Sequence, residues 1–292
     1  VAPLTRVSQL NGRYMTFDRS DWLIFPDERA MGTVANEIMG AKWSTDTYSV
    51  HEHSLQAPVF DEEREQLGKA ENFPIDYTLE TAATELTTRS LLLGHEKAVA
   101  DMYRLAANYP GGNTATLVLA DQWDNYASAS SDPIADIEAA LRQIYVSTGR
   151  AANTIVMPWL VWSYLRNHPN IVDRFVNFRL TADEAFAELT GFQGTLIIAE
   201  SQYNTADNID ATESISDFWG KDVWIGIVDD APGQRTKTFA KTFVFPYNDT
   251  VVRPVDTWRE EPRKADLYRT SYRYDLKLVS NIAGFLYKSV IA

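Results

Sequence analysis

One long run of helical periodicity constrains this chain more than any other feature. From Asp76 to Asn108 apolar residues recur at helical spacing: Leu79, Ala82, Ala83, Leu86, Leu93, Val99, Ala100, Tyr103 and Ala107. Pro110, Gly111 and Gly112 then stop the helix. At 1.5 Å per residue the run makes a rod of about 45 Å. That is long for a compact domain, so the expectation is a helix lying across the surface of a flat molecule.

The segments around the rod differ in character. Residues Val1 to Ala41 are mixed, with apolar clusters at Trp22 to Phe25 and at Ile38 and Met39, and read as an extended arm running into a short helix. From Asp46 to Asn72 the pattern is strand-like at Tyr48, Val50, Leu55, Val59 and Phe60, then turns into the charged run "DEEREQLGKAEN". So little apolar content at its tip suggests a projecting hairpin or loop that needs a neighbour to order it.

Beyond the rod, strands and helices alternate. Thr114 to Ala120 reads as a strand; Ser131, Asp132 and Pro133 open a helix with a cap residue and a proline at its first position, and Gly149 closes it. Thr154 to Met157 is a buried strand, Pro158 starts a helix to Arg166, and a short helix covers Asn170 to Phe178. Thr181 and Glu184 form a capping box, and strands follow at Thr195 to Glu200 and Val223 to Val228. This region, Asn113 to Val228, is an α+β or α/β unit around a central sheet. The remainder reads as strands at Phe239 to Phe245, Tyr268 to Leu276 and Ile282 to Ile291. These are long enough to pair with the region before the rod and make a second, non-contiguous domain. No internal repeat breaks this reading.

Composition excludes several classes of function. With 45% hydrophobic and 23% charged residues the chain folds. No apolar stretch reaches the roughly 18 residues of a membrane span; Thr154 to Tyr164 is short and runs into Arg166 and His168. Val1 to Leu10 lacks a basic region followed by an apolar core, so nothing reads as a secretory signal. Cysteine is absent, which excludes disulfides, thiol catalysis and cysteine zinc sites, and suits a protein made in bacterial cytoplasm. The formal net charge of -13 would repel polyphosphate on average, unlike a free DNA-binding domain. It is compatible with enclosing DNA, since an acidic lining lets the contents slide.

Residues that carry chemistry are present but not assembled into a motif. His51 and His53 face one side of a strand, yet no third metal ligand accompanies them. His95, beside Glu96, is a helix-face residue, and His168 in "RNHPN" caps or packs at a helix junction. "YPGGNT" lacks the P-loop lysine and the dinucleotide spacing, and no Gly-x-Ser-x-Gly occurs. The carboxylate pairs Glu62–Glu63, Asp229–Asp230 and Glu260–Glu261 read as solvated faces in a chain with 40 acids. Eight tryptophans and fourteen tyrosines fit packing surfaces or subunit interfaces. No catalytic residue, cofactor or metal is expected, and a soluble α/β hydrolase would need a constellation that is missing.

Several stretches in order resemble the major capsid proteins of tailed bacteriophages. "STGRAANTIVMPWLVWSYLRNHPNIVDRF", Ser147 to Phe175, is similar to the family's helix ending at Gly, short strand after Asn, and Trp-bearing helix before a Leu-Arg-x-His-Pro turn. "NTADNIDATESISDFWGKDVWIGIVDDAP", Asn204 to Pro232, resembles its following loop and strand. "TFAKTFVFP" and "VDTWREEPRKADLYRTSYRYDLKLVSNIAGFLYKSVIA" resemble its C-terminal part, and "LQAPVFDEEREQ" with "LLLGHEKAVADMYRLAANYP" its extended loop and spine helix. Each motif is weak alone; their order and spacing from Ser44 to Ala292 are specific.

The resemblance implies an α+β chain with the Hong Kong 97-type phage capsid fold. Its parts would be an N-terminal arm (1–42), an extended loop (43–73), a spine helix of the peripheral domain (74–112), an axial domain (113–240) and peripheral C-terminal strands (241–292). It implies self-assembly as hexamers and pentamers into an icosahedral shell around double-stranded DNA, bound without sequence specificity. Portal and scaffold proteins and a decoration protein would be its partners, with no membrane; the place is the virion, assembled in the host cytoplasm. Some relatives carry about a hundred extra N-terminal residues that are cut off, where this chain begins at Val1. Some cross-link a lysine to an asparagine; Lys69, Asn248 and Asn281 are present here without a specific motif for it. An encapsulin-type compartment shell, with the same fold around enzymes, is the alternative. The expected intersubunit contacts are the loop-tip residues Glu62, Glu63, Arg64, Glu65 and Lys69, and the run Trp258, Arg259, Glu260, Glu261 and Arg263.

Overall fold

A computed structural model describes residues 1–16, 28, 31, 34, 44–67, 78–172, 190–205, 214–229, 238–248 and 250–292. In chain order the elements begin with β1 (Leu4–Arg6), β2 (Asn11–Thr16), β3 (Ser44–Ser49), β4 (His51–Phe60), α1 (Asp61–Leu67) and α2 (Leu79–Arg104). Next come β5 (Thr114–Thr116), α3 (Pro133–Thr148), β6 (Thr154–Pro158), α4 (Trp159–Leu165), α5 (Pro169–Val172) and β7 (Thr195–Ala199). The rest are β8 (Gln202–Asn204), β9 (Ile215–Asp217), β10 (Val223–Gly226), β11 (Ala240–Val244), β12 (Val255–Glu260), β13 (Ala265–Leu278) and β14 (Gly284–Lys288).

The expected rod is α2, 26 residues long, about 39 Å at the helical rise. Its buried residues, Ala83, Thr87, Leu91, Val99, Ala100 and Tyr103, follow i, i+4 spacing almost throughout. A single narrow stripe therefore packs inward, which is what a helix laid along a surface requires.

The first five-stranded sheet is organised on β13. β4 runs antiparallel along one of its edges, from Phe60 opposite Ala265 to His51 opposite Tyr274. On the other edge β12 pairs with the first half of β13 and β11 with the second, and β1 adds in parallel to β11. The C-terminal strands thus pair with the segment before the long helix, as the sequence leads one to expect. The reading of Asp46 to Asn72 as a projecting loop is corrected over its described part. His51–Phe60 is paired along ten residues, and the charged stretch Asp61–Leu67 is a helix. Backbone hydrogen bonds to β13 need no apolar side chains, so a mostly polar and largely exposed strand can form the edge of the sheet. Residues 68–77 lie outside the described set.

β2 and β3 form a separate antiparallel hairpin, from Asn11 opposite Ser49 to Thr16 opposite Ser44. Its base rests on the first sheet: the Tyr14 and Tyr48 rings lie 5.1 and 4.8 Å from that of Phe243, and Val50 and Val279 complete a small core. The Tyr14 hydroxyl donates to the Leu278 carbonyl at 2.9 Å. The apolar clusters at Trp22–Phe25 and Ile38–Met39 lie outside the described residues.

The second five-stranded sheet has the order β5-β14-β10-β6-β7. Beside it α3 begins and ends as read from sequence: the Asp132 side chain accepts from the Ala135 N–H at 3.3 Å, Pro133 follows, and Gly149 takes φ 64°. Two expectations are corrected. The strand at Thr114 ends at Thr116, because the chain turns at Leu119, whose φ is 47°. The last strand, β14, does not join β13; it sits between β10 and β5. Gly284 to Tyr287 are all buried; a strand without a polar face needs packing over its faces, and α3 and α2 both pack against β14. Of the helix expected at Asn170 to Phe178 only Pro169–Val172 is described, and the Thr181–Glu184 box is not.

The end of α2 joins the two sheets. Tyr103, fully buried, has its ring 4.8 Å from those of Trp224 and Phe239, and Phe239 stacks on Tyr109 at 4.9 Å. The next residue, Arg104, pairs at 2.8 Å with the buried carboxylate of Asp222. Among the described residues no helix is long and apolar enough to cross a membrane.

Candidate assembly surface

The two charged runs singled out in the sequence meet at one end of the first sheet. β4 delivers α1 to this end, and β12 reaches it through the turn Glu261–Arg263. The Asp61 N–H donates to the Lys264 carbonyl at 3.1 Å, which ties the two chain reversals together. The Arg259 guanidinium holds both carboxylate oxygens of Asp61, at 2.7 and 2.6 Å, a geometry that suits the planar fork of arginine. Arg64 binds Asp266 at 2.6 Å and Glu80 at 2.9 Å, so α1 is fastened to β13 and to the start of α2. Arg263 reaches Glu260 at 3.4 Å. Hydrogen bonding to Arg259 holds the Asp61 carboxyl below its ordinary range, and the same bond raises Arg259 further.

This arrangement revises how the predicted contacts are read. Arg64 and Arg259 are engaged within their own chain, because residues 198 positions apart in sequence converge here. Glu62 and Glu63 on α1 and Glu261 at the β12 turn remain exposed. Trp258 is 38% exposed on the edge strand β12, with the Arg269 guanidinium 5.1 Å above its ring and Asp256 paired to that arginine at 2.8 Å. Charged groups along an exposed edge strand keep it from pairing indiscriminately. Lys69 lies outside the described residues.

Histidine chemistry resolves into packing. His95 is one helical turn from both Leu91 and Val99, so it falls on the buried stripe of α2 rather than on an open face. That spacing was the available sequence signal. Its ring meets Tyr274 and Tyr272 edge-on at 4.7 and 5.6 Å, and its Nε2 lies 3.3 Å from Thr242 Oγ1. Burial first, then Arg253 and His53, pull its pKa down to about 4. His53 stacks on Tyr274 at 4.3 Å. His168 packs at a helix junction, as its sequence context suggests. Its Nε2 is 3.1 Å from Ser131 Oγ, but its Nδ1 accepts the Asn170 N–H at 3.2 Å. The neutral ring therefore carries its proton on Nε2, directed at the serine, and both side chains are buried. Among the described residues no group of three His, Asp or Glu is placed to hold a metal ion.

Sequence reasoning passed over the apolar side chains on the surface near the second sheet. Val118, Tyr145, Val146 and Trp159 are each more than half exposed, and Leu119 is 82% exposed. Leu119 is also held in the left-handed region, at φ 47°. Val118 with Leu119, and Tyr145 with Val146, each expose two adjacent apolar groups, and contiguous apolar surface is what an interaction site would use.

Comparison with known proteins identifies the fold. No family model matches the chain. It is 25% identical over 289 residues to the major capsid protein of Burkholderia phage BcepMu, covering 99% of this chain and 89% of that one. To the major capsid protein of Pseudomonas phage JBD67 it is 28% identical over 177 residues, 60% of this chain and 52% of the other. A phage-related protein from Bordetella bronchiseptica RB50 superposes with a TM-score of 0.74 at 23% identity, covering 99% and 90% of the two chains. The capsid of cyanophage P-SCSP1u gives 0.63 at 10% identity, with 98% and 86% covered. An encapsulin from Synechococcus elongatus PCC 7942 gives 0.53 at 8%, with 100% and 87% covered. The chain has the Hong Kong 97-type capsid fold and is a homologue of bacteriophage major capsid proteins.

Proposed function

We propose that this chain is the major capsid protein of a tailed, double-stranded DNA bacteriophage, assembling as hexamers and pentamers into an icosahedral shell. The observation that carries the reading is the likeness to the BcepMu major capsid protein along 99% of the chain, the α2 rod and both sheets included. Function on this reading is assembly, with stability spread over many interfaces. The peripheral domain is the first sheet with α2, and the axial domain is the second sheet, to which β14 returns. The limb directed to a neighbour is the β2–β3 hairpin, and the arm is shortened to the residues before it. The charged end of the first sheet, with Glu62, Glu63 and Glu261 outward, and the apolar surface around Leu119 are the contact regions.

The fold supplies no catalytic centre in this account; portal and scaffold proteins act with it, and DNA is enclosed without base recognition. The test is expression of the chain followed by electron microscopy and analysis of particle contents. Closed particles that package long double-stranded DNA in a phage infection support the reading. Particles that enclose a cargo enzyme instead favour an encapsulin-type compartment, and a chain that stays monomeric at all concentrations refutes both.

A further inference from the structure

A groove of about 360 Å³ opens at the root of the β2–β3 hairpin, lined by Arg6, Arg13 and Lys241 beside the Tyr14, Tyr48 and Phe243 rings. Among the described residues its two arginines differ from six that are ion-paired. Arg64, Arg104, Arg259, Arg263, Arg269 and Arg273 each hold a carboxylate at 2.6 to 3.4 Å. No described residue pairs with the side chain of Arg6 or Arg13. Two carboxylates on the neighbouring strands β3 and β13 are already engaged. Asp46 accepts from the Tyr14 hydroxyl at 3.1 Å and the Thr47 N–H at 2.7 Å. Asp275 accepts from the Ser49 N–H at 2.7 Å and lies 3.5 Å from Lys277 Nζ. Two guanidinium groups beside an aromatic floor are left to receive carboxylates from outside.

We propose that this groove is a socket for an acidic segment of a second copy of the chain, the first turn of α1 with Glu62 and Glu63. The inference rests on the shell reading above. Each copy carries a net charge of -13, so identical subunits repel unless local basic sites meet acidic ones. Glu62 and Glu63 are exposed, and among the described residues the one hydrogen bond to their side chains is a long one, from the Phe60 N–H to Glu63 at 3.5 Å. A nucleic acid is a poorer fit, because phosphate binding gains its affinity from a track of many cations and this groove presents two that no described residue pairs. The aromatic floor also suits the aliphatic stems of glutamate side chains.

The experiment is a charge swap in the full chain. R6E/R13E should fold, as judged by circular dichroism, and reduce closed particles at least about tenfold; adding E62R/E63R should restore them to within about threefold of wild type. A second arm uses R6K/R13K particles treated with a carbodiimide, and an inter-chain peptide joining position 6 or 13 to α1 is expected. Loss of particles together with either the rescue or that cross-link establishes the socket. Normal particle yield from R6E/R13E overturns it while leaving the shell reading standing, as does a loss with neither rescue nor cross-link. Unchanged yield with reduced DNA content assigns the groove to nucleic acid and also overturns it. Wild-type chain that forms no particles refutes the shell reading itself.

Discussion

Phe239→Ala tests whether one aromatic cluster joins the two sheets. Phe239 is fully buried, with its ring 4.8 to 5.6 Å from those of Tyr103, Tyr109 and Trp224, so the end of α2, β10 and the entry to β11 all meet on it. Removing the ring loses about 2 kcal/mol of transfer free energy. A residual void of about 100 Å³, at roughly 24 cal/mol per Å³, adds about 2.4 kcal/mol. The sum, about 4 kcal/mol, is a large share of the roughly 5–15 kcal/mol that holds a domain folded. Urea unfolding of subunits kept below the concentration at which they assemble should show the midpoint falling by more than about 1 M at unchanged slope. A loss below about 1 kcal/mol would mean that the cluster relaxes freely and does not brace the sheets.

Three further outcomes follow from the same structure. Asp222→Ala takes the carboxylate from Arg104, which keeps the Phe218 carbonyl at 2.9 Å, and leaves the Ser289 N–H without its acceptor; because Arg104 is partly solvated the expected cost is about 2 kcal/mol, read by the same unfolding curve. His95 has a folded pKa of about 4 against an ordinary value of 6.5, so the unfolded chain binds the extra proton between those values. Stability should therefore be full above pH 6.5, fall by up to about 3 kcal/mol as pH drops to 4, and level off below; His95→Gln should flatten that slope, and an unchanged slope would show the ring to be solvated. Leu119→Gly relieves a left-handed leucine and should leave subunit stability within about 1 kcal/mol, while removing an exposed apolar contact and lowering particle yield in light scattering.

Much of this architecture is readable from local signals. The i, i+4 stripe of α2, the Asp132–Pro133 start and Gly149 end of α3, and the buried strand at Thr154 are written in neighbouring residues, and each forms where expected. What escapes is non-local. β4 shows few apolar residues because its position is fixed by backbone pairing with residues more than two hundred positions away. Arg64 and Arg259 look available for a neighbour until the fold brings Asp266 and Asp61 to them. The apolar run of β14 announces a buried strand but not which sheet buries it. The groove beneath the hairpin has no sequence signature, since Arg6, Arg13 and Lys241 converge only when β1, β2 and β11 are assembled.

The central claim is that copies of this chain close into a shell through limbs that extend beyond the two-sheet body. Cryo-electron microscopy of the assembled protein tests it most directly. Icosahedral particles built from hexamers and pentamers are expected, in which the base of the β2–β3 hairpin stays packed on its own first sheet and its far end, at Thr16 and Ser44, lies against the neighbouring subunit. A density showing isolated subunits, or closed particles in which that far end touches only its own chain, would contradict it.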